Sequence, residues 1–248
     1  MTIARLMERL DTASAAVIRT AQGPLKVLPH RGPHLAAAAV GFDDEEPETL
    51  DWINRMRPGE TLWDIGAATG LLSMYAALIP DIHVFAFEPK ATSFGVLVEH
   101  LALNGLGDRV FPLCIAFSDE TILTKLSLNA MAPGSGGNSV SGRPDQFGGY
   151  RSIFNQGTIA YRIDDFRAAF GLGAPDHIKI DVDGVEGAIL NGAPDTLRSV
   201  KSVLLEVEGE NALEAASRIE APLSAAGLVE DIDVRAAGSK RNRLYRRT

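Results

Sequence analysis

Short apolar runs alternate with stretches of helical period along most of this chain. Thr61 to Ile65, Ile82 to Phe87, Val110 to Phe117, Thr121 to Leu128, Thr158 to Ile163, His177 to Val182 and Val203 to Glu208 read as strands, most of them buried on both faces. Between them, helices are predicted from Leu71 to Ile79 before Pro80, from Ala91 to Leu103 closing at Asn104-Gly105, and over Asp164 to Phe170, Gly184 to Leu190 and Asn211 to Ala226. Upstream, Asp43-Asp44-Glu45-Glu46-Pro47 opens a helix whose apolar face is Leu50, Ile53 and Met56 and which ends before Pro58-Gly59. Met1 to Gln22 has helical period through Ile3, Leu6, Met7, Leu10 and Val17, interrupted by charges, and so is read as a helix and not as a signal peptide. Gly23 to Pro33 reads as a loop or short strands. Val229 to Arg235 and Arg243 to Arg246 alternate around Gly238 as an antiparallel pair. Strand and helix in alternation predict an α/β fold: a mainly parallel sheet with helices on both faces, binding ligands beyond the carboxyl ends of its strands. Residues 46–248 are expected to form the principal domain. Residues 1–45 are expected to be a helical and loop extension that covers the acceptor side or meets a second copy in a homo-oligomer.

Composition narrows the classes. A chain of 248 residues, 46% hydrophobic, buries one substantial core. With 24 basic and 32 acidic residues the formal charge is −8, which argues against a broad nucleic-acid footprint. Cys114 is the single cysteine, so neither an intramolecular disulfide nor a cysteine zinc site can form, and a cytoplasmic setting is expected. No apolar run approaches the roughly 20 residues that span a bilayer. Ala132 to Tyr150 is rich in glycine, serine and proline and reads either as an acceptor-side lid or as a disordered loop.

The most informative segment is Asp64-Ile65-Gly66-Ala67-Ala68-Thr69-Gly70, a strand end, a glycine-bracketed turn and a helix start. Its glycines are spaced G-x-x-x-G rather than G-x-G-x-x-G, and a carboxylate precedes the turn, which disfavours a pyrophosphate. An aspartate aimed at that space welcomes an ammonium group, as at the amino-acid end of S-adenosylmethionine. Glu88, ending the second strand, is placed either to accept the ribose hydroxyls or as a surface acid. Asn104 and the Ala116-Phe117-Ser118-Asp119 turn lie where an adenine pocket forms, although Asn104 suits a helix C-cap as well.

These motifs resemble the FkbM-type S-adenosylmethionine-dependent methyltransferases. The similarity runs through Trp63 to Gly70 with Ser73, then Phe85 to Pro89 with Leu103-Asn104. It continues through Arg162 to Phe166, Ile178 to Glu186 with Leu190 to Ala193, and Leu204 to Val207. Ala68 stands where that family usually has asparagine, and Asp183 where it usually has glutamate. The resemblance implies a Rossmann-like class I methyltransferase fold, with a seven-stranded sheet ending in an antiparallel hairpin. It also implies S-adenosylmethionine held by Asp64, Gly66, Ala67, Thr69, Gly70, Glu88, Pro89, Asn104, Ala116, Phe117 and Asp181, with S-adenosylhomocysteine as product. The implied reaction is methylation of a hydroxyl on a small molecule or glycan: a sugar, a polyketide or a lipid-like acceptor.

Asp181 is the first candidate for general base or acceptor orienter, its alternative being a cap on the loop through Gly184. Lys179 shares its face and either polarises the acceptor or forms a buried pair with an acid. Glu206, with Glu208, extends an acidic cluster that would suit Mg²⁺, but no dense ligand set marks a metal site and none is assigned. His30 and His34 either close over an acceptor or anchor a loop. Lys240, Arg241, Arg243, Arg246 and Arg247 form a basic tail that either attracts an anionic acceptor or belongs to a solvated hairpin. Methylation of RNA or protein, and a cofactor-binding partner without catalysis, are the competing functions; net acidity weighs against RNA.

Overall fold

The computed structural model describes residues 14–140, 152–207, 212–239 and 241–247. Strands β1 (Ala16–Thr20) and β2 (Gly23–Val27) form an antiparallel hairpin, followed by a 3-10 turn over Pro29–Arg31, helix α1 (Pro33–Glu45, broken at Gly41) and helix α2 (Pro47–Asn54). Next come β3 (Thr61–Ile65), α3 (Leu71–Leu78), β4 (His83–Phe87), α4 (Ala91–Asn104) and β5 (Val110–Leu113). Strands β6 (Ala116–Phe117), β7 (Ile122–Leu128), β8 (Ser139–Val140) and β9 (Phe154–Tyr161) precede α5 (Ile163–Phe170). The remainder is β10 (His177–Ile180), α6 (Glu186–Asn191), α7 (Pro194–Leu197), β11 (Ser202–Glu206), α8 (Ala212–Ala225), β12 (Leu228–Glu230), α9 (Ile232–Ala237) and β13 (Asn242–Arg247).

Seven strands form the main sheet in the order β12-β13-β11-β10-β3-β4-β5. Strands β11, β10, β3, β4 and β5 pair in parallel, while β13 runs antiparallel between β11 and β12. This is the class I arrangement with its antiparallel C-terminal strand pair, β12 and β13, which here are connected through α9. The chain leaves β3 toward β4 and β5, then returns to lay β10 on the other side of β3. That reversal opens a crevice at the carboxyl ends of β3 and β10.

Alternation along the strands sorts the core. Leu62, Leu204 and Leu244 face the helices α2 to α4 and the β1–β2 hairpin, while Trp63, Ile65, Ile178, Ile180, Val203 and Leu205 face α5 to α8. On the second face Trp63 packs among Phe85, Phe87, Phe117 and Phe166, with ring centroids 5.1–6.1 Å apart.

Five readings of the sequence change. Of Val229 to Arg235, read as one strand of the C-terminal pair, only the part within Leu228–Glu230 is strand, and Ile232–Ala237 is the helix α9. The helix expected through Gln22 is a strand where it is described, since β-branched Val17, Ile18 and Thr20 lead into a turn at Gly23 with φ 137°; residues 1–13 lie outside the described residues. Pro33 to Glu45, not read as helix from sequence, is helical, with Pro33 at its first turn. Val110 to Phe117 is two strands: β5 closes the main sheet as an edge, where Pro112 is tolerated, and β6 enters a second sheet. Strands β7 and β9, expected as members of one alternating series, pair with each other in that second sheet, ordered β6-β9-β7-β8. Residues 141–150 of the glycine-rich loop, Glu208 and Lys240 lie outside the described residues.

Candidate functional site

The β3–α3 turn begins at Gly66, whose φ is +86°. A Cβ there would lie 1.9 Å from the Asp181 carbonyl oxygen, so the glycine permits the ends of β3 and β10 to close on each other. The space saved belongs to protein backbone and not to a ligand. Gly70, at φ +85°, caps α3, and a Cβ on it would press the Leu97 side chain at 3.0 Å. Ala68 adopts φ +48°, a left-handed conformation that costs a non-glycine residue roughly 1–2 kcal/mol. Its N–H donates to Glu88 Oε2 at 2.8 Å, which holds it there. Asparagine tolerates this region better than alanine. Ala68→Asn is therefore expected to stabilise the protein by up to about 1 kcal/mol, read as a raised chemical-denaturation midpoint at unchanged slope.

Glu88 is only 8% exposed. Its other oxygen accepts the Lys90 N–H at 2.8 Å, so the carboxyl ties the β3 turn to the start of α4. Burial raises its pKa to about 7 against the pull of those two N–H donors and the Lys90 ammonium.

The floor of the crevice is ionic. Lys179 on β10 lies directly across from Asp64 on β3, and both are 2% exposed. Lys179 Nζ donates to Asp181 Oδ2 at 2.5 Å, and Ser73 Oγ donates to Asp64 Oδ2 at 2.5 Å. Burial works against the Lys179 ammonium, but Asp181, Glu46 and Asp64 more than offset it, leaving the amine protonated and its pKa above the ordinary value. Burial pushes Asp64 up, and Lys179 and Ser73 do not cancel the rise. Asp181, whose side chain is 30% exposed, is raised by its partial burial as well, yet Lys179 outweighs that and holds the carboxyl below its usual value. Glu206 reaches Asp181 by a side-chain hydrogen bond and pairs with Arg241 at 3.2 Å.

Two cavities of about 220 and 210 Å³ meet at Gly66, Ala68, Gly134 and Asp181. Glu88, Pro89, Ala116, Phe117, Val182 and Ile189 line the first; Asp64, Ala67, Thr69, Lys179, Glu46 and Phe42 line the second. Of the residues expected in the site, Asn104 stays away from both. Its side chain receives the Lys26 N–H and donates to the Lys26 carbonyl, each at 2.8 Å. Gly70 acts through the helix start and lines neither cavity. His34 lines the second cavity, whereas His30 sits exposed in the 3-10 turn.

Several residues of the site carried no sequence motif. Lys90 Nζ donates to the Ala132 carbonyl at 2.7 Å and to Ser135 Oγ at 2.5 Å, while the Gly134 N–H donates to Ser93 Oγ and the Asn138 N–H to Asp183 Oδ2. These bonds pin the first part of the glycine-rich loop across the mouth of the first cavity. Lys90 did leave one signal in the sequence: a cation at a helix start opposes the helix dipole and calls for local acceptors. The described arginines of the basic tail are engaged within the fold. Arg243 pairs with Glu220 and Arg246 with Asp231, and Arg247 donates to the Val200, Ala226 and Leu197 carbonyls. Among the described residues no group of three or more His, Cys, Asp or Glu is arranged to hold a metal, and no helix is long and apolar enough to cross a membrane.

The model of the methyltransferase FkbM domain matches residues 64–229. The hexuronic acid methyltransferase AglP of Haloferax volcanii is 25% identical over 152 residues, covering 60% of this chain and 56% of that protein's length. The 31-O-demethyl-FK506 methyltransferase FkbM of Streptomyces tacrolimicus is 25% identical over 180 residues, covering 62% of this chain and 68% of that one. Among solved structures, Aeropyrum pernix fibrillarin with natively bound S-adenosyl-L-methionine is 11% identical, with a TM-score of 0.46 over 94% of this chain and 82% of that chain. The β3 turn, Glu88 and the Lys179 to Glu186 segment all fall inside the matched span, and the chain belongs to the FkbM methyltransferase family.

Proposed function

We propose that this protein transfers the methyl group of S-adenosylmethionine to a hydroxyl of a small molecule or glycan. The observation that carries the reading is the pair of cavities joined at the β3 turn, with a buried carboxyl in one and an ion-paired carboxylate at the junction. The side chains present fit the cofactor. Glu88 keeps lone pairs on both oxygens for ribose hydroxyls, Phe117 and Ile189 offer an apolar wall for a base, and Asp64 and Glu46 give the second cavity the negative charge an ammonium needs.

When bound, S-adenosylmethionine supplies an electrophilic methyl on a sulfonium. The protein then has to align the acceptor and take one proton. Asp181 sits where the cavities meet and is kept ionised by Lys179. A carboxylate so stabilised is a weak base toward a free alcohol, but the hydroxyl turns acidic as its oxygen bonds to carbon, and Asp181 receives the proton at that stage. Lys179, protonated and held from below, orients Asp181 and does not itself accept a proton. The 132–140 loop reaches both cavities through Gly134 and so limits the water that competes with the acceptor.

The hexuronic acid and the 31-O-demethyl-FK506 named for the two relatives motivate acceptors bearing hydroxyls. The described arginines of the tail are engaged with carboxylates and carbonyls of the fold, which supports a small-molecule or glycan acceptor over RNA. Release of S-adenosylhomocysteine is expected when glycans, polyketides or lipid-like alcohols are supplied with S-adenosylmethionine. Cofactor binding without turnover across all three classes would overturn the enzymatic reading. Glu88→Ala is expected to weaken S-adenosylhomocysteine binding by roughly 10- to 100-fold, the worth of one or two charge-assisted hydrogen bonds, measured by calorimetry.

A further inference from the structure

Helix α4 holds the segment between β2 and α1 by an unusual device. One edge of β2 pairs with β1, leaving the backbone groups of Lys26 and Leu28 facing α4. Asn104 satisfies both groups of Lys26, and His100 Nε2 receives the Leu28 N–H at 3.1 Å. Two strand residues advance about 6.6 Å and four helical residues about 6 Å, so side chains at 100 and 104 match the repeat of a strand at 26 and 28. The helix thereby replaces a missing strand.

His100 makes a second bond on its other side. Its Nδ1 lies 2.8 Å from the Thr69 carbonyl oxygen, in the β3 turn. A backbone N–H can only donate and a carbonyl can only accept. The ring must therefore be neutral, with its proton on Nδ1, donating to Thr69 and accepting from Leu28. The side chain is fully buried and burial lowers its pKa, in keeping with a neutral ring. Thr69 lines the second cavity, and from Leu28 the chain passes through the 3-10 turn into α1, whose His34, Ala38, Phe42 and Glu45 line the same cavity. The glycine-rich loop joins at this point too. A Cβ on Gly134 would lie 3.6 Å from Thr69 Cγ2 and from His34 Cβ, and one on Gly32 would lie 3.1 Å from the Pro133 carbonyl oxygen.

We propose that His100 is a positioning residue that couples the two halves of the site. One ring holds the β3 turn and the leader of α1, so that filling the cofactor cavities orders the α1 wall of the second one. The inference rests on S-adenosylmethionine as the cofactor. Its physical content is a bond that is rigid at both ends: a turn stiffened by ligand contacts restrains Thr69, and Thr69 restrains the ring that holds Leu28.

The test is amide hydrogen exchange on the full chain, with and without saturating S-adenosylhomocysteine, alongside calorimetry. Exchange at Leu28 is expected to slow about tenfold on binding, within the usual range of coupling between sites. His100→Asn places an amide donor near the Nδ1 position but has nothing at Nε2. It is expected to bind S-adenosylhomocysteine within about threefold of the parent while losing the slowing at Leu28. Asn104→Ala removes the neighbouring anchor and leaves His100 in place; it is expected to speed exchange at Lys26 in both states and to keep the ligand-dependent slowing at Leu28. Absence of slowing in the parent protein, despite calorimetric binding, would overturn the coupling, as would slowing that persists in His100→Asn. Failure of the parent to bind S-adenosylhomocysteine would strike the cofactor assignment itself. Should His100→Asn not fold, the parent and Asn104→Ala still decide: slowing at Leu28 that vanishes in Asn104→Ala would assign the effect to general docking of the strand and overturn a role particular to His100.

Discussion

Asp181→Asn is expected to lower kcat by about 10²- to 10⁴-fold, the usual worth of a positioned proton acceptor, with S-adenosylhomocysteine affinity nearly unchanged. Asparagine retains the shape and one oxygen for Lys179 but cannot take the proton from the acceptor oxygen. Lys179 keeps Asp64 and Glu46 as counter-charges, so the substitution does not strand a buried cation. Steady-state rates of S-adenosylhomocysteine release, set beside calorimetry of the same variant, separate the two effects. Full turnover in the variant would remove Asp181 as the base and leave it the role of a partner to Lys179, since the Gly184 N–H of the following loop is taken by Glu186. A matched loss of affinity and rate would show instead that its part is in shaping the cavity.

Gly66→Ala carries the largest expected cost to stability. A methyl 1.9 Å from the Asp181 carbonyl oxygen cannot be accommodated by a side-chain rotation, because the opposing atom is backbone. Strain at φ +86° costs about 1–3 kcal/mol, and displacing packed backbone about as much again. Set against a total stability of roughly 5–15 kcal/mol, the variant is expected to melt well below the parent. Whatever folds should bind S-adenosylhomocysteine poorly, since Gly66 lies where the two cavities meet. A melting curve within a degree or two of the parent's would show that β3 and β10 part easily, contrary to the close approach described here.

Much of the architecture was legible because its signals are local. Apolar runs, prolines and the Gly105 stop fixed the order of β3, α3, β4 and α4 to within a residue or so at most boundaries, and the alternation of elements implied the mainly parallel sheet. The hairpin of Ala16 to Thr20 was misread because its apolar positions also fit a helical period, and pairing with Gly23 to Val27 settled the conflict. Strands β7 and β9 could not be joined from sequence, since their pairing spans a long intervening stretch and leaves no local mark. Within the site, Asp64, Glu88 and Asp181 were conspicuous as carboxylates at strand ends. Asn104 was conspicuous as well, but the end of a helix is far from the end of the strand before it, and the structure gives its side chain to Lys26.

Residue type and neighbours along the chain were enough to mark the order of elements from β3 to α4, the glycine-bracketed turn and the carboxylates that surround it. Only the tertiary structure decided what those residues do to one another. The register of β10 against β3 places the Lys179 ammonium across from Asp64 and leaves Asp181 ionised. The closeness of the two strand ends makes Gly66 a packing necessity as well as a residue lining both cavities, and burial gives Glu88 a pKa near neutrality. Charge, burial and close approach are properties of groups brought together across the fold. They act over a few ångströms of space, whatever the distance along the chain.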